Sequence, residues 1–183
     1  MVAEPILGAV LAGGQSRRFG SNKALARLGN KTLIEWAIEG IAAQTDEVVI
    51  CGRAHAGYPA LPDRPVPNLG PLGGLAAALY YAGEKGFDAV LTTGCDMPVF
   101  PPAIRTALVG HGPATVEGHQ LIGYWPVHLG PQLDAHLATS QDRSIRRWMD
   151  IAGCRIVTLP DLNLPNINTP DDLKALSLLA RSS

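Results

Sequence analysis

The stretch "VLAGGQSRRFGSNKAL", Val10 to Leu25, decides how the rest of the chain is read. It continues an apolar run, Ile6 to Ala12, with the unbroken hydrophobicity of a strand buried on both faces of a parallel sheet. Such sheets place their ligands beyond the carboxyl ends of the strands, and Gly13 and Gly14 stand there. Glycine permits a sharp turn and lets a ligand approach the backbone, so that amide N–H groups become donors. Arg17, Arg18 and Lys23 add three cations within seven residues, which makes a polyphosphate the expected ligand. Two phosphate motifs fail here. Gly20 is followed by Ser21-Asn22-Lys23 rather than by the GK[ST] of a P-loop, and no GxGxxG occupies this turn.

The segments that follow alternate in type. Thr32 to Ala43 has helical spacing with Thr32 as its N-cap, and Glu47 to Cys51 reads as a strand ended by Gly52. Pro59 to Pro71 is too rich in proline for a helix interior or a central strand and is expected to be ordered loop. Leu72 to Gly83 reads as a helix, Asp88 to Thr93 as a strand, and Pro101 or Pro102 opens a helix to about Val109. The second half is less regular. Leu121 to Leu129 is expected to be extended, Asp142 to Met149 helical, Arg155 to Leu159 a strand, and Pro170 to Ala180 a closing helix. The order implies an α/β fold, a single three-layer Rossmann-like domain over 1–183 with a mostly parallel sheet.

Composition narrows the function. The chain has 183 residues, 46% of them hydrophobic and 17% charged, which is globular and long enough for a sizeable core. A formal net charge of -1 argues against nucleic acid as the main partner while leaving room for a local basic patch. No apolar run reaches the roughly 18 residues of a membrane span, and an acidic residue precedes the first apolar run, a poor signal peptide. Cys51, Cys95 and Cys154 form no CxxC pair and read as reduced thiols, so a cytoplasmic protein is expected. His128 and His136 are eight apart across a proline and His55 stands alone, so no histidine is a candidate ligand.

LAGGQSRRFGSNKAL resembles the signature loop of nucleotidyltransferases that activate small substrates with a nucleoside triphosphate. Within them it is most similar to the molybdenum cofactor guanylyltransferase family, whose pattern is roughly LAGGxSxRMGxxK; only Phe19 departs, in place of Met. Asp63 with Gly70-Pro71-Leu72-Gly73-Gly74 is similar to that family's aspartate and GPLAG element. Thr92 to Pro98 (TTGCDMP) resembles its CDxP element, and Asn166-Ile167-Asn168-Thr169-Pro170 with Asp172 and Leu173 resembles its NxNTPxDL. Together they span most of the chain in the family's order.

The resemblance implies transfer of GMP from GTP to molybdenum-loaded molybdopterin with release of pyrophosphate. It implies a Mg²⁺ ion, with Mn²⁺ possible, on Asp96, since such ions take one or two carboxylates beside substrate phosphates. Lys23 is implied to reach the triphosphate, Arg17 and Arg18 its β and γ phosphates, and Asp63 the guanine. The backbone around Leu11, Ala12, Gly13 and Gly14 would line the nucleotide pocket. Cys51 falls where some members carry an asparagine that contributes to nucleotide binding, and a thiol is a weak hydrogen-bond partner. Asn166 and Asn168, with Arg143 and Arg147 at i,i+4 spacing, are candidates for the pterin side. Trp125 and Trp148 are candidates for pterin stacking or for core. Nucleotide elements are thus expected mainly in 6–100 and pterin elements mainly in 101–173. The expected protein is a monomer with an open cleft and transient protein contacts for cofactor delivery. A cytidylyltransferase on the same cofactor, another small-substrate nucleotidyltransferase and a silent nucleotide-binding relative are the alternatives.

Overall fold

The structure, a computed structural model, describes residues 4–13, 22–162, 164, 165, 167 and 169–179. Strand β1, Ile6–Leu11, is buried along its whole length. Its end leads to a 3-10 turn, Lys23–Leu25, and to a small hairpin of β2, Arg27–Leu28, and β3, Lys31–Thr32. Helix α1, Leu33–Ala42, starts from a capping box at the expected residue. The Glu35 N–H donates to Thr32 Oγ1 at 3.4 Å, and the Thr32 N–H donates to Glu35 Oε2 at 2.6 Å. Two of the orphan donors of the first turn are satisfied in this way.

Strand β4, Glu47–Cys51, then pairs with β1 in parallel. The proline-rich segment contains a two-residue edge strand, β5, Ala60–Leu61, where a loop was expected. An edge position suits such a segment, because a neighbouring proline has no N–H to give to a ladder. Helix α2, Pro71–Lys85, has proline in its first turn and stops at Gly86, whose φ of +82° is the left-handed cap. Strand β6, Ala89–Gly94, is fully buried and lies on the other side of β1, so the chain reverses its direction of growth across the sheet at β1.

Helix α3, Pro102–Leu108, leads to a hairpin of β7, Ala114–Val116, and β8, His119–Pro126. The turn between them contains Gly118 at φ +75°. Because β8 is a hairpin return, it runs antiparallel to β6. The extended segment expected from Leu121 to Leu129 is this strand followed by a 3-10 turn, Val127–Leu129. Helix α4, Gly130–Thr139, was not anticipated; it buries only Leu133, His136 and Leu137 and so carries a thin apolar pattern. Helix α5, Ile145–Ala152, starts three residues later than expected, with Ser144 as N-cap, so Arg143 precedes it and shares no helical face with Arg147. Strand β9, Arg155–Val157, stops before Leu159, and α6, Pro170–Leu179, closes the described chain.

The seven strands of the main sheet follow the order β5-β4-β1-β6-β8-β7-β9, with only β8 antiparallel among the described residues. One face packs on α1 and α3 through Ile34, Ile38, Ile41, Ile104 and Leu108. The other packs on α2, α4 and α5 through Leu72, Leu75, Leu79, Leu133 and Trp148. Each such buried aliphatic or aromatic side chain stabilises the fold by roughly 1.5–3 kcal/mol relative to exposure. A smaller cluster of Leu28, Leu33 and Ile167, with Leu173 against it, ties the C-terminal segment to the β2–β3 hairpin and α1. Among the described residues no helix is long and apolar enough to cross a membrane.

Candidate active site

The carboxyl ends of β4, β1 and β6 lie side by side, at the place where the strand order reverses, and a ligand crevice is expected there. Close backbone contact makes this edge tight. The Ala12 N–H donates to the Cys51 carbonyl at 2.9 Å, and the Gly52 N–H donates to the Leu61 carbonyl at 2.9 Å. Gly52 has φ +86°, and a Cβ built on it would lie 2.4 Å from Gly13 Cα, so only glycine serves there.

A cleft of about 870 Å³ opens over this junction, lined by Gly13, Gly52, Arg53, Leu61, Asp63 and Asn68 among others. Asp63 is set into its wall by local contacts. Its Oδ2 accepts the Leu69 N–H at 3.0 Å, and a Cβ on Gly73 would come within 2.9 Å of its Cβ and Cγ. Gly73 of the GPLGG turn therefore makes room for this aspartate, while Gly74 makes room for Cys51 and Leu11 beneath the first turn of α2. Arg64 fixes the same loop from behind. Its N–H donates to the Gly73 carbonyl at 3.1 Å, its guanidinium donates to Asp134 Oδ2 at 3.1 Å, and it stacks 4.0 Å from the Tyr80 ring centroid.

Asp96 stands one strand over, beyond the end of β6, and Lys23 Nζ donates to its Oδ2 at 3.1 Å. The two side chains are 12% and 20% exposed, sheltered but within reach of a ligand. The carboxylate folds back over Gly94, where a built Cβ would meet Asp96 Oδ1 at 2.4 Å. The Ile167 N–H donates to the Asp96 carbonyl at 3.4 Å, which brings the C-terminal segment beside this residue. Among the described residues no group of three or more His, Cys, Asp or Glu side chains could hold a metal ion. Asp96 thus offers one hard oxygen ligand, a donor set that suits a Mg²⁺ or Mn²⁺ ion sharing its remaining positions with phosphate and water.

Burial keeps the thiols of Cys51 and Cys95 in their neutral form at neutral pH. Burial, reinforced by the charge of Asp63, pushes the Cys51 thiol up to about 12. The side chain sits in the apolar layer beneath Gly74, so only its backbone carbonyl serves the strand-end junction. Burial and the neighbouring Asp96 push Cys95 up to about 11, against the lowering influence of Lys23 and Arg53.

Of the residues singled out in the sequence, Leu11, Ala12, Gly13, Cys51, Asp63, Lys23 and Asp96 gather at this edge. Gly14, Arg17, Arg18, Asn166 and Asn168 lie outside the described residues. Arg143 and Arg147 are exposed at the start of α5. That helix feeds β9, a strand parallel to β7, and so begins toward the same edge of the sheet. Trp125 and Trp148 are buried in the core against α2, α4 and α5. Sequence reading missed Arg53, Asn68 and the Arg64–Asp134 pair. Arg53 had a signal, since it follows Cys51-Gly52 directly at a strand end; the ion pair, 70 residues apart in sequence, had none.

The family of MobA-like NTP transferase domains matches residues 8–158 of the chain. A molybdenum cofactor guanylyltransferase from Rhizobium leguminosarum bv. trifolii is 35% identical over 187 residues, covering 92% of this chain and 90% of the relative. Another of that name, from Rhodobacter capsulatus, is 35% identical over 92% of this chain and 93% of its own length. Among solved structures, the molybdopterin-guanine dinucleotide biosynthesis protein A of Archaeoglobus fulgidus superposes with a TM-score of 0.74 at 21% identity. It covers 97% of this chain and 100% of its own, a likeness of fold.

Proposed function

The chain belongs to the family of MobA-like NTP transferases and is a nucleotidyltransferase, and on that premise we propose that it transfers GMP from GTP to molybdenum-loaded molybdopterin. The products are the molybdopterin guanine dinucleotide cofactor and pyrophosphate. The single observation that carries the reading is the Lys23–Asp96 pair, 3.1 Å apart, set one strand from the tight turn of Gly13 and Gly52. A cation and a carboxylate at a strand-end crevice are what nucleotidyl transfer needs, because charge grows on the leaving pyrophosphate and on the α-phosphate oxygens. The names of the relatives supply the acceptor.

The terminal phosphate oxygen of the pterin attacks the α-phosphorus of GTP, a new P–O bond forms, and the bond from the α-phosphorus to the β-bridging oxygen breaks. Pyrophosphate leaves with that electron pair. Lys23 offsets negative charge on the phosphates, and Arg17 shares that task. Asp96 would hold a Mg²⁺ ion, or Mn²⁺ in its place, which when bound would supply Lewis-acid neutralisation of phosphate oxygens. Asp63 accepts hydrogen bonds from the guanine edge, while the backbone of Leu11, Ala12, Gly13 and Gly14 lies against the nucleotide, with the Cys51 carbonyl completing the turn. Asn166, Asn168, Arg143 and Arg147 take the pterin side, so that 6–100 serves the nucleotide and 101–173 the acceptor.

A cytidylyltransferase is the second reading, and the buried Cys51 favours keeping it. With its thiol in the core, the end of β4 offers a base no side-chain amide. The test is pyrophosphate release with Mg²⁺ and molybdenum-loaded molybdopterin, supplied in parallel with GTP, CTP, ATP or UTP. Release with GTP alone is the expected result. Preference for CTP would keep the mechanism and overturn the base, and folded protein that binds nucleotide without release would overturn the transfer.

A further inference from the structure

Arg53 is the charged side chain of the cleft wall to which neither the sequence motifs nor the transfer reaction gives a task. It follows Gly52, whose left-handed backbone turns the chain against Gly13 and delivers Arg53 to the mouth of the cleft. From the end of β4 its Nη1 donates to Asn22 Oδ1 at 2.7 Å, and Asn22 directly precedes Lys23. The guanidinium therefore reaches past the end of β1 toward the Lys23–Asp96 pair. No carboxylate among the described residues forms an ion pair with Arg53. One bond to a neutral amide leaves most of a five-donor fork unused, and the geometry of that fork matches a phosphate.

We propose that Arg53 is a nucleotide-binding residue of this chain, a guanidinium that contacts the triphosphate beside Lys23 and is oriented for it by Asn22. The proposal rests on the reading of the cleft as a nucleoside triphosphate site. Lys23 is already drawn to Asp96, so a second cation supplies charge that the pair itself does not. Lysine at position 53 would keep the charge and lose the bidentate fork.

Calorimetric binding of GTP, GMP and CTP, with Mg²⁺ and without the pterin, tests it on the wild type, Arg53→Gln, Arg53→Lys and Asn22→Ala. Arg53→Gln should weaken GTP on the order of ten- to a hundredfold, the range for a charge-assisted hydrogen bond. It should affect GMP far less. Arg53→Lys should recover part of the loss, the wild-type affinity should fall with added salt more steeply than that of Arg53→Gln, and Asn22→Ala should cost only a few-fold. Equal losses for GTP and GMP would overturn the phosphate contact, as would Asn22→Ala matching Arg53→Gln, which would mark a loop latch. Unchanged GTP binding in Arg53→Gln would overturn the proposal and leave the transferase reading intact. A wild type that prefers CTP, with the same loss in Arg53→Gln, would overturn the guanine reading and support the role of Arg53.

Discussion

The strand-end edge presents two walls, that of Asp63 in the cleft and that of Asp96 one strand over, and they are held by different means. At the Asp63 wall the support is multiple and mostly local: a carboxylate against its own loop, a glycine where a methyl group would collide, and an arginine clamping the loop to α2 and, through a pair 70 residues apart, to α4. At the Asp96 wall one ion pair joins residues 73 apart, and the backbone support from Ile167 is long, at 3.4 Å. The first arrangement is stiff and suits recognition of a neutral, fixed shape such as a base. The second holds charge in a form that can be redistributed when phosphates and a metal ion arrive. In an enzyme of this kind, binding and turnover should therefore fail separately when the two walls are damaged.

The largest separation comes from Asp96→Asn, which keeps the shape of the residue and removes its charge. It should lower kcat on the order of a hundred- to a thousandfold in a pyrophosphate-release assay. If kcat survives, the metal is held elsewhere. Gly52→Ala attacks the junction under the stiff wall and should cost about 2–3 kcal/mol of stability through overpacking and a strained left-handed φ, read by chemical denaturation. Asp63→Asn should raise KM for GTP by about tenfold, as expected for one charged hydrogen bond, while kcat stays near the wild-type value. A matching fall in kcat would show that the two walls are coupled.

Two smaller tests act away from the chemistry. Thr32→Ala removes the capping box of α1 and should cost about 1 kcal/mol, without changing KM or kcat. The Cys51 thiol gives a pH signature. Its folded value is raised from 9.0 to about 12, so below pH 9 both folded and unfolded chains keep the neutral thiol and its contribution is intact. Above pH 9 the unfolded chain releases that proton more readily, and stability should fall as pH rises toward about 12. Denaturation midpoints between pH 8 and 10.5 should decline less in Cys51→Ala than in the wild type.

The first half of the fold was legible because its signals are local and agree with one another. Ile6–Leu11 is an apolar run because it is covered on both faces, Thr32 and Glu35 stand at the spacing of a capping box, and Pro71 opens α2. The second half gave weaker signals. Strand β7 has three residues and α4 buries three side chains, too few for a period to emerge. Helix α5 was displaced because Asp142 and Arg143 continue its polar pattern, whereas the backbone starts the helix at the cap supplied by Ser144.

The sequence by itself determined the main alternation of strands and helices in the first half, the strand-end glycines and the identity of the charged residues near them. These follow from preferences that a residue expresses with neighbours a few positions away. Only the tertiary structure decided that Lys23 meets Asp96, that Gly13 rests on Gly52, that Cys51 turns into the core and that Arg53 reaches Asn22. Each of these contacts depends on which strands lie side by side and in what register. That choice is made by burying the two apolar faces of one sheet together, and no local stretch of chain contains it.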